Sequence, residues 1–323
     1  MKLLEKVSSK LRIMATKKEV KKVKVANDGA NVEGAGDNSL FATGHSACAG
    51  CGSAILMRQI VNTLGPDTIV VNATGCMEIV SSKYPESAWK IPYIHSLFEN
   101  GPAVASGVTR CLKAQGNEKT RVVYIGGDGA SYDIGFGALS GALERNEDVI
   151  FIIYDTECYS NTGVQRSSAT PKFANTTTSP VGSKLHGKQE GRKHIGLIAA
   201  AHNIAYVATA SVGNLPDLKI KLQKAKETRG ASVIIIYGSC TFGWKFDTNL
   251  TIKMARLALQ SGMWKLYEFD HGKLILGQEP AFEGLEEYFK LQKRYKHITP
   301  VEIEIIKKDI KADWEFLKAM VRE

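Results

Sequence analysis

The chain has 323 residues, of which 44% are hydrophobic and 23% charged, with a formal net charge of +9. That length buries a sizeable core, and that composition excludes a disordered or collagen-like chain. Residues 1–24 hold nine Lys/Arg against two Glu and so supply +7 of the excess; the rest is close to neutral, and nothing calls for nucleic acid.

Residues 1–40 read as a flexible basic leader, charged at first and then rich in Gly, Asn and Asp. No apolar run approaches the roughly 20 residues of a membrane helix. The basic N-terminus lacks the apolar core of a secretory signal, so no membrane role is expected and the cytoplasm is the default location. From residue 41 to 262 helix and strand patterns alternate. A helix is expected over Ser53–Leu64, followed by a β-branched strand at Thr68–Ala73. Next come a helix at Ala103–Ala114 and a buried strand at Arg121–Ile125 that ends in Gly-Gly-Asp-Gly. A helix over Asp133–Arg145 and a second buried strand, Asp148–Tyr154, complete this half. The polar segment Asp155–Lys193 is too long for an idle connection and reads as functional. A helix around Ile195–His202, a strand at Ile204–Ala208, a helix at Leu215–Thr228 and a strand at Ser232–Tyr237 follow. Beyond Asp247 the pattern predicts a helix, a hairpin around Asp270–Gly272 and charged-faced helices, with residues 263–323 a C-terminal α/β extension. Short apolar strands separated by helices define an α/β fold with a mostly parallel, doubly wound sheet.

Asp128 stands where an apolar strand ends and a helix begins, the edge at which open α/β sheets bind ligands. Gly127 and Gly129 let the backbone approach a phosphate, and amides at a helix start favour its charge. An aspartate repels a bare diphosphate but suits one bridged by Mg²⁺. A Gly-Asp-Gly triplet alone also makes ordinary turns. The next strand, however, ends in Asp155-Thr156-Glu157-Cys158-Tyr159-Ser160-Asn161, starting 27 residues after Asp128. Adjacent parallel strands bring the two clusters side by side.

The cysteines are Cys48, Cys51, Cys76, Cys111, Cys158 and Cys240, and a long chain without a secretory signal favours metal or redox roles for them. Cys48 and Cys51 form a CxxC, while Cys76 and Cys240 each follow a strand. By spacing alone these four suit a Zn²⁺ ion or a 4Fe–4S cluster equally, with unrelated core cysteines a third reading. Cys111 reads as helix core, and Cys158 as important for its backbone rather than its sulfur.

A GDG followed by an Asn-containing loop resembles the thiamine-diphosphate fingerprint, and DTECYSNTGVQRS is similar to the corresponding run of pyruvate:ferredoxin oxidoreductases. GHSACAGCG, the Gly-Cys at 75–76, the Cys240 segment before Phe242-Gly243-Trp244, the run Trp89–Asn100 and the run Thr176–Gly182 resemble the beta subunit of that family, over roughly Gly44 to Gly262. The resemblance implies Mg²⁺ held by Asp128, the Thr156 hydroxyl and the Cys158 carbonyl. It implies thiamine diphosphate bound around Cys76, Gly127, Asp128, Gly129, Ala130, Thr156, Cys158, Tyr159 and Asn161, with Asn161 reaching the reacting centre. It also implies a 4Fe–4S cluster on Cys48, Cys51, Cys76 and Cys240. Relatives often carry Asn where this chain has Thr156; both offer an oxygen.

The implied reaction converts pyruvate and coenzyme A to acetyl-CoA and CO₂, passing electrons singly to ferredoxin. No carboxylate of a pyrimidine-binding domain and no CxxCxxCxxxCP run is found here. An alpha subunit carrying that domain, a gamma subunit and a ferredoxin-like delta subunit are therefore expected partners. Rival readings are a beta subunit for 2-oxoisovalerate or oxalate, a non-oxidative thiamine enzyme, and a zinc-stabilised scaffold or nucleic-acid-binding protein. His95 reads as a substrate contact or a structural histidine, and Arg166 and Lys188 as solvated loop charges.

Overall fold

The computed structural model describes residues 39–321, so most of the basic leader lies outside the described residues. The first elements in the chain are helix α1 (Gly52–Leu64), strand β1 (Thr68–Ala73), helix α2 (Cys76–Ser81), strand β2 (Tyr93–Ser96) and helix α3 (Gly101–Ala114). Strand β3 (Arg121–Gly127) leads into a π-helical turn (Gly129–Ile134), helix α4 (Phe136–Glu144) and strand β4 (Val149–Asp155). After the long loop come α5 (Ile195–Ala200), β5 (Tyr206–Ser211), α6 (Leu215–Glu227), β6 (Ser232–Tyr237), α7 (Thr241–Trp244) and α8 (Thr251–Ser261). The hairpin β7 (Tyr267–Asp270) and β8 (Lys273–Leu276) precedes α9 (Leu285–Lys290) and α10 (Pro300–Val321).

One eight-stranded sheet has the order β2-β1-β3-β4-β6-β5-β7-β8. Strands β1 to β6 are parallel, and the hairpin adds two antiparallel strands at the β5 edge. The sequences of β4, β5 and β6 are buried at every position. This is why β4 (VIFIIYD) and β6 (SVIIIY) read as unbroken apolar runs: helices cover both faces of a parallel sheet, so no alternation with polar residues is required. Helix α3 packs on β1, β3 and β4, α1 packs on α6, and α10 lies along β8.

Two short elements went unread, and three expectations fail locally. Strand β2 and helix α2 carried no readable signal, because both are short and β2 buries only Ser96 fully. The expected helix Asp133–Arg145 is a π-helical turn followed by a shorter α-helix. Cys111 is exposed rather than core. The buried side of α3 carries Ala105 and Thr109, four apart, and Cys111 lies about 200° around the helix from Thr109. Lys188 is buried, not solvated. Its ammonium is satisfied by the carbonyls of Thr170 (2.5 Å) and Gly191 (2.9 Å), which pins the long loop onto itself.

Candidate functional site

The four neighbouring strands β1, β3, β4 and β6 end at the same edge. Beyond their carboxyl ends lie Cys76, Asp128, the run Thr156–Asn161, and Cys240. The parallel register does this directly: Gly127 pairs with Tyr154 and Tyr154 with Ile236, so the residues that follow start side by side.

Asp128 is 1% exposed and opens the π-helical turn. Its Oδ1 accepts from the Thr156 amide (3.2 Å) and hydroxyl (3.1 Å), and its Oδ2 from the Ser167 hydroxyl (2.5 Å). The Thr156 hydroxyl is also 3.2 Å from the Cys158 carbonyl. Mg²⁺ holds oxygen ligands in a near-octahedral shell at 2.0–2.1 Å, which places neighbouring ligands about 3 Å apart. The Thr156 hydroxyl stands at that spacing from both the Asp128 carboxylate and the Cys158 carbonyl. Gly129 is required by packing: a Cβ there would stand 2.5 Å from the Tyr159 ring. Tyr159 in turn donates to Asp133 (3.1 Å), tying the second loop to the first. Ala130 is fully buried beneath it.

The charges around this turn do not balance. Asp128, Asp155 and Glu157 are all buried, and two guanidinium groups face them. Arg192 donates to Asp155 Oδ2 (2.5 Å) and Glu157 Oε1 (2.6 Å), and Arg294 to Glu157 Oε2 (2.5 Å). Asp128 has neither. Burial, with the charge of Asp155 added, pushes its carboxyl up to about 8. A divalent cation at the three oxygens would supply the missing positive charge.

Beside this turn, a cavity of ≈ 230 Å³ is lined by Cys48, Cys51, Cys76 and Cys240, with Thr156, Ser160, Asn161 and Phe242 among the remaining wall. The CxxC loop is stitched to the Cys240 loop from both sides. Gly52 N–H donates to the Ser239 carbonyl (3.2 Å), and the Thr241 hydroxyl to that of Ala49 (3.2 Å). Gly50 is in the left-handed region (φ +69), and a Cβ on it would collide with the Thr248 carbonyl. Burial pushes the Cys51 thiol up to about 11 and raises those of Cys76 and Cys240 as well. Thiolate ligation here therefore needs a bound cation's field. Among the described residues no three His, Cys, Asp or Glu side chains are gathered closely enough for a single metal ion. The four cysteines line one cavity instead.

All the predicted site residues fall at this edge. Gly127 ends β3, Asn161 borders the cysteine cavity, and Thr156 belongs to both the oxygen cluster and the cavity wall. His95 is half exposed and hydrogen-bonds the Thr74 hydroxyl (2.8 Å). Arg166 is partly exposed, 3.5 Å from Glu190. Sequence reasoning missed Ser160, Ser167, Arg192 and Arg294. The first two sit in runs already singled out by composition; Arg294 is 137 residues from its partner Glu157 and carries no local signal.

Residues 73–236 match the family model "Thiamine pyrophosphate enzyme, C-terminal TPP binding domain", the class that this sheet edge defines. A pyruvate synthase subunit PorB from Methanocaldococcus jannaschii is 46% identical over 84% of this chain and 93% of its own length. A ketoisovalerate oxidoreductase subunit VorB from Pyrococcus abyssi is 40% identical over 87% and 93%. Among solved structures, a 2-oxoglutarate:ferredoxin oxidoreductase from Magnetococcus marinus aligns with TM-score 0.52 at 21% identity over 65% of this chain and 76% of that one, a likeness that bears on fold alone. Within the thiamine pyrophosphate class, this chain belongs to the family of the pyruvate synthase PorB subunits.

Proposed function

We propose that this chain binds thiamine diphosphate through Mg²⁺, carries a 4Fe–4S cluster, and is the beta subunit of a pyruvate:ferredoxin oxidoreductase. The observation that carries the reading is the shared wall. The buried oxygen cluster of Asp128, Thr156 and Cys158 and the cavity lined by four cysteines meet at Thr156.

When bound, thiamine diphosphate supplies the electron sink that oxidative decarboxylation of a 2-oxoacid requires, and an adjacent cluster accepts electrons one at a time. The chain's own residues bind and orient. Asp128, the Thr156 hydroxyl and the Cys158 carbonyl hold Mg²⁺. Gly127, Gly129, Ala130 and Tyr159 form the diphosphate-binding turn, and Asn161 borders the reacting centre. Cys48, Cys51, Cys76 and Cys240 ligate the cluster. Four cysteines lining one cavity, with no compact single-ion ligand group among the described residues, support a multi-iron cluster over one Zn²⁺, which draws four ligands to about 2.3 Å. Residues 41–262 form the cofactor-binding part and 263–323 an extension packed on it. An alpha subunit supplies the pyrimidine-binding domain, with gamma and ferredoxin-like delta subunits completing a cytoplasmic complex. Coenzyme A and ferredoxin are co-substrates.

The VorB relative supports a second reading in which the substrate is 2-oxoisovalerate. Rates with pyruvate and 2-oxoisovalerate on the anaerobically purified complex separate the two. Asp128→Ala tests the cofactor assignment. It is expected to abolish retention of thiamine diphosphate while leaving iron content largely intact, and unchanged cofactor content would overturn the Mg²⁺ site.

A further inference from the structure

A second cavity, of ≈ 350 Å³, shares no wall residue with the cysteine cavity. Strands β5, β6 and β7 contribute Thr209, Ile235 and Tyr267 to its wall, and α10 contributes Ile306 and Ile310. Ligand pockets span about 300–1,000 Å³ and combine apolar walls with a few convergent polar groups, so this one suits a compact ligand.

The polar groups on its wall are under-used. Lys265 is 12% exposed and has one partner, Asp313 at 3.1 Å. An ammonium carries three protons, so two remain uncommitted. Burial pulls this ammonium below the usual lysine range in spite of Asp313, and the charge of Arg192 adds to the pull. The Tyr267 hydroxyl makes no hydrogen bond among the described residues, and a Cβ on Gly196 would collide with it. Trp264 on the same wall keeps a buried indole N–H without an acceptor. With His194 uncharged, the wall holds Lys172, Arg192, Lys193 and Lys265 against Asp309 and Asp313, an excess of positive charge.

We infer that this cleft is an effector site for a compact organic carboxylate with a branched apolar body. The carboxylate meets Lys265 and the Tyr267 hydroxyl, and the body packs among Ile235, Ile306 and Ile310. A phosphate dianion would bring twice the charge into the same apolar surroundings, at a higher desolvation cost.

Occupancy is felt at the cofactor edge through two side chains that line the cleft, Tyr132 and Arg192. Tyr132 donates to Asp155 (2.7 Å), and Arg192 to Asp155 (2.5 Å) and Glu157 (2.6 Å), the residues on either side of Thr156. Arg192 is still 19% exposed. A ligand body laid against it excludes water, and an ion pair strengthens as the local dielectric falls. The Thr156 loop is then held more firmly and binds thiamine diphosphate more tightly. This effect rests on the thiamine diphosphate reading proposed above; binding in the cleft does not.

The test is calorimetric titration of the anaerobically purified full chain, with its co-purifying subunits, using isocaproate and its uncharged amide. Native protein is expected to bind isocaproate at least about tenfold more tightly than the amide, because only the carboxylate makes charge-assisted hydrogen bonds. Lys265→Met is expected to bind the two alike. Tyr267→Phe, which removes a single oxygen, is expected to weaken isocaproate about fivefold and the amide less. Native protein that does not bind isocaproate, or a preference for it that persists unchanged in both variants, overturns the site. Saturating isocaproate is expected to tighten thiamine diphosphate binding at least about fivefold in native protein and to leave it unchanged in Lys265→Met. Binding of isocaproate without that tightening overturns the effector role. Protein that fails to bind thiamine diphosphate even without isocaproate overturns the proposed function instead, and leaves the cleft to be judged by the first titration.

Discussion

Arg294→Met removes one of two cations from a carboxylate that water cannot reach. Glu157 is 1% exposed, with Arg294 at 2.5 Å on one oxygen and Arg192 at 2.6 Å on the other. Arg294 is itself held by Gln292 (2.8 Å) and lies 4.2 Å over the Trp244 ring. Methionine refills most of the volume, so the loss is chiefly electrostatic. Removing one partner of a buried pair costs about 3–5 kcal/mol, because the remaining charge stays desolvated. A domain of this size loses about 2 °C of melting temperature per kcal/mol, which predicts a fall of about 6–10 °C in calorimetry. Glu157 stands between Thr156 and Cys158, so the same variant is expected to weaken thiamine diphosphate binding from a distance. In a double-mutant cycle, Glu157→Gln with Arg294→Met should cost less than the sum of the single changes, by at least about 1 kcal/mol. A fall under 2 °C with additive effects would refute the view that this pair holds the loop.

Cys240→Ser is expected to lower bound iron, whereas Cys111→Ser, on the exposed side of α3, leaves it unchanged; metal analysis of the anaerobic protein decides, and equal losses would show that the fourth ligand is misassigned. Gly243→Ala should also lower iron content, by forcing a methyl group against two sulfurs at 2.9 and 3.2 Å, without a comparable fall in thiamine diphosphate retention. Burial lowers the Lys188 ammonium from its usual 10.5 to about 8. Between those values the unfolded chain binds the proton and the folded one does not, so stability rises with pH across that window. Denaturant melts from pH 7.5 to 10.5 should show the rise in native protein and a flatter curve in Lys188→Met.

Much of the site was legible because its residues are local to strand ends. An apolar run that stops at Gly-Asp-Gly already places Asp128 at a sheet edge, and the polar run after β4 places Thr156 and Asn161 there too. The cysteines were legible as a set only through resemblance; their spacing suits one ion or a cluster, and the choice turns on how far apart the folded loops hold the sulfurs. The charge network was not legible at all. Arg192 and Arg294 look like ordinary surface cations in sequence, and so did Lys188, because burial of a charge depends on partners supplied by distant segments.

The sequence by itself determined the alternation of strands and helices and the chemistry waiting at each strand end, since hydrophobic periodicity and glycine placement act over a few residues. Tertiary structure alone decided which ends are neighbours. The return of β6 to lie beside β4 puts Cys240 next to the Thr156 loop. It also decided which charges are buried, because those energies depend on distances across the chain.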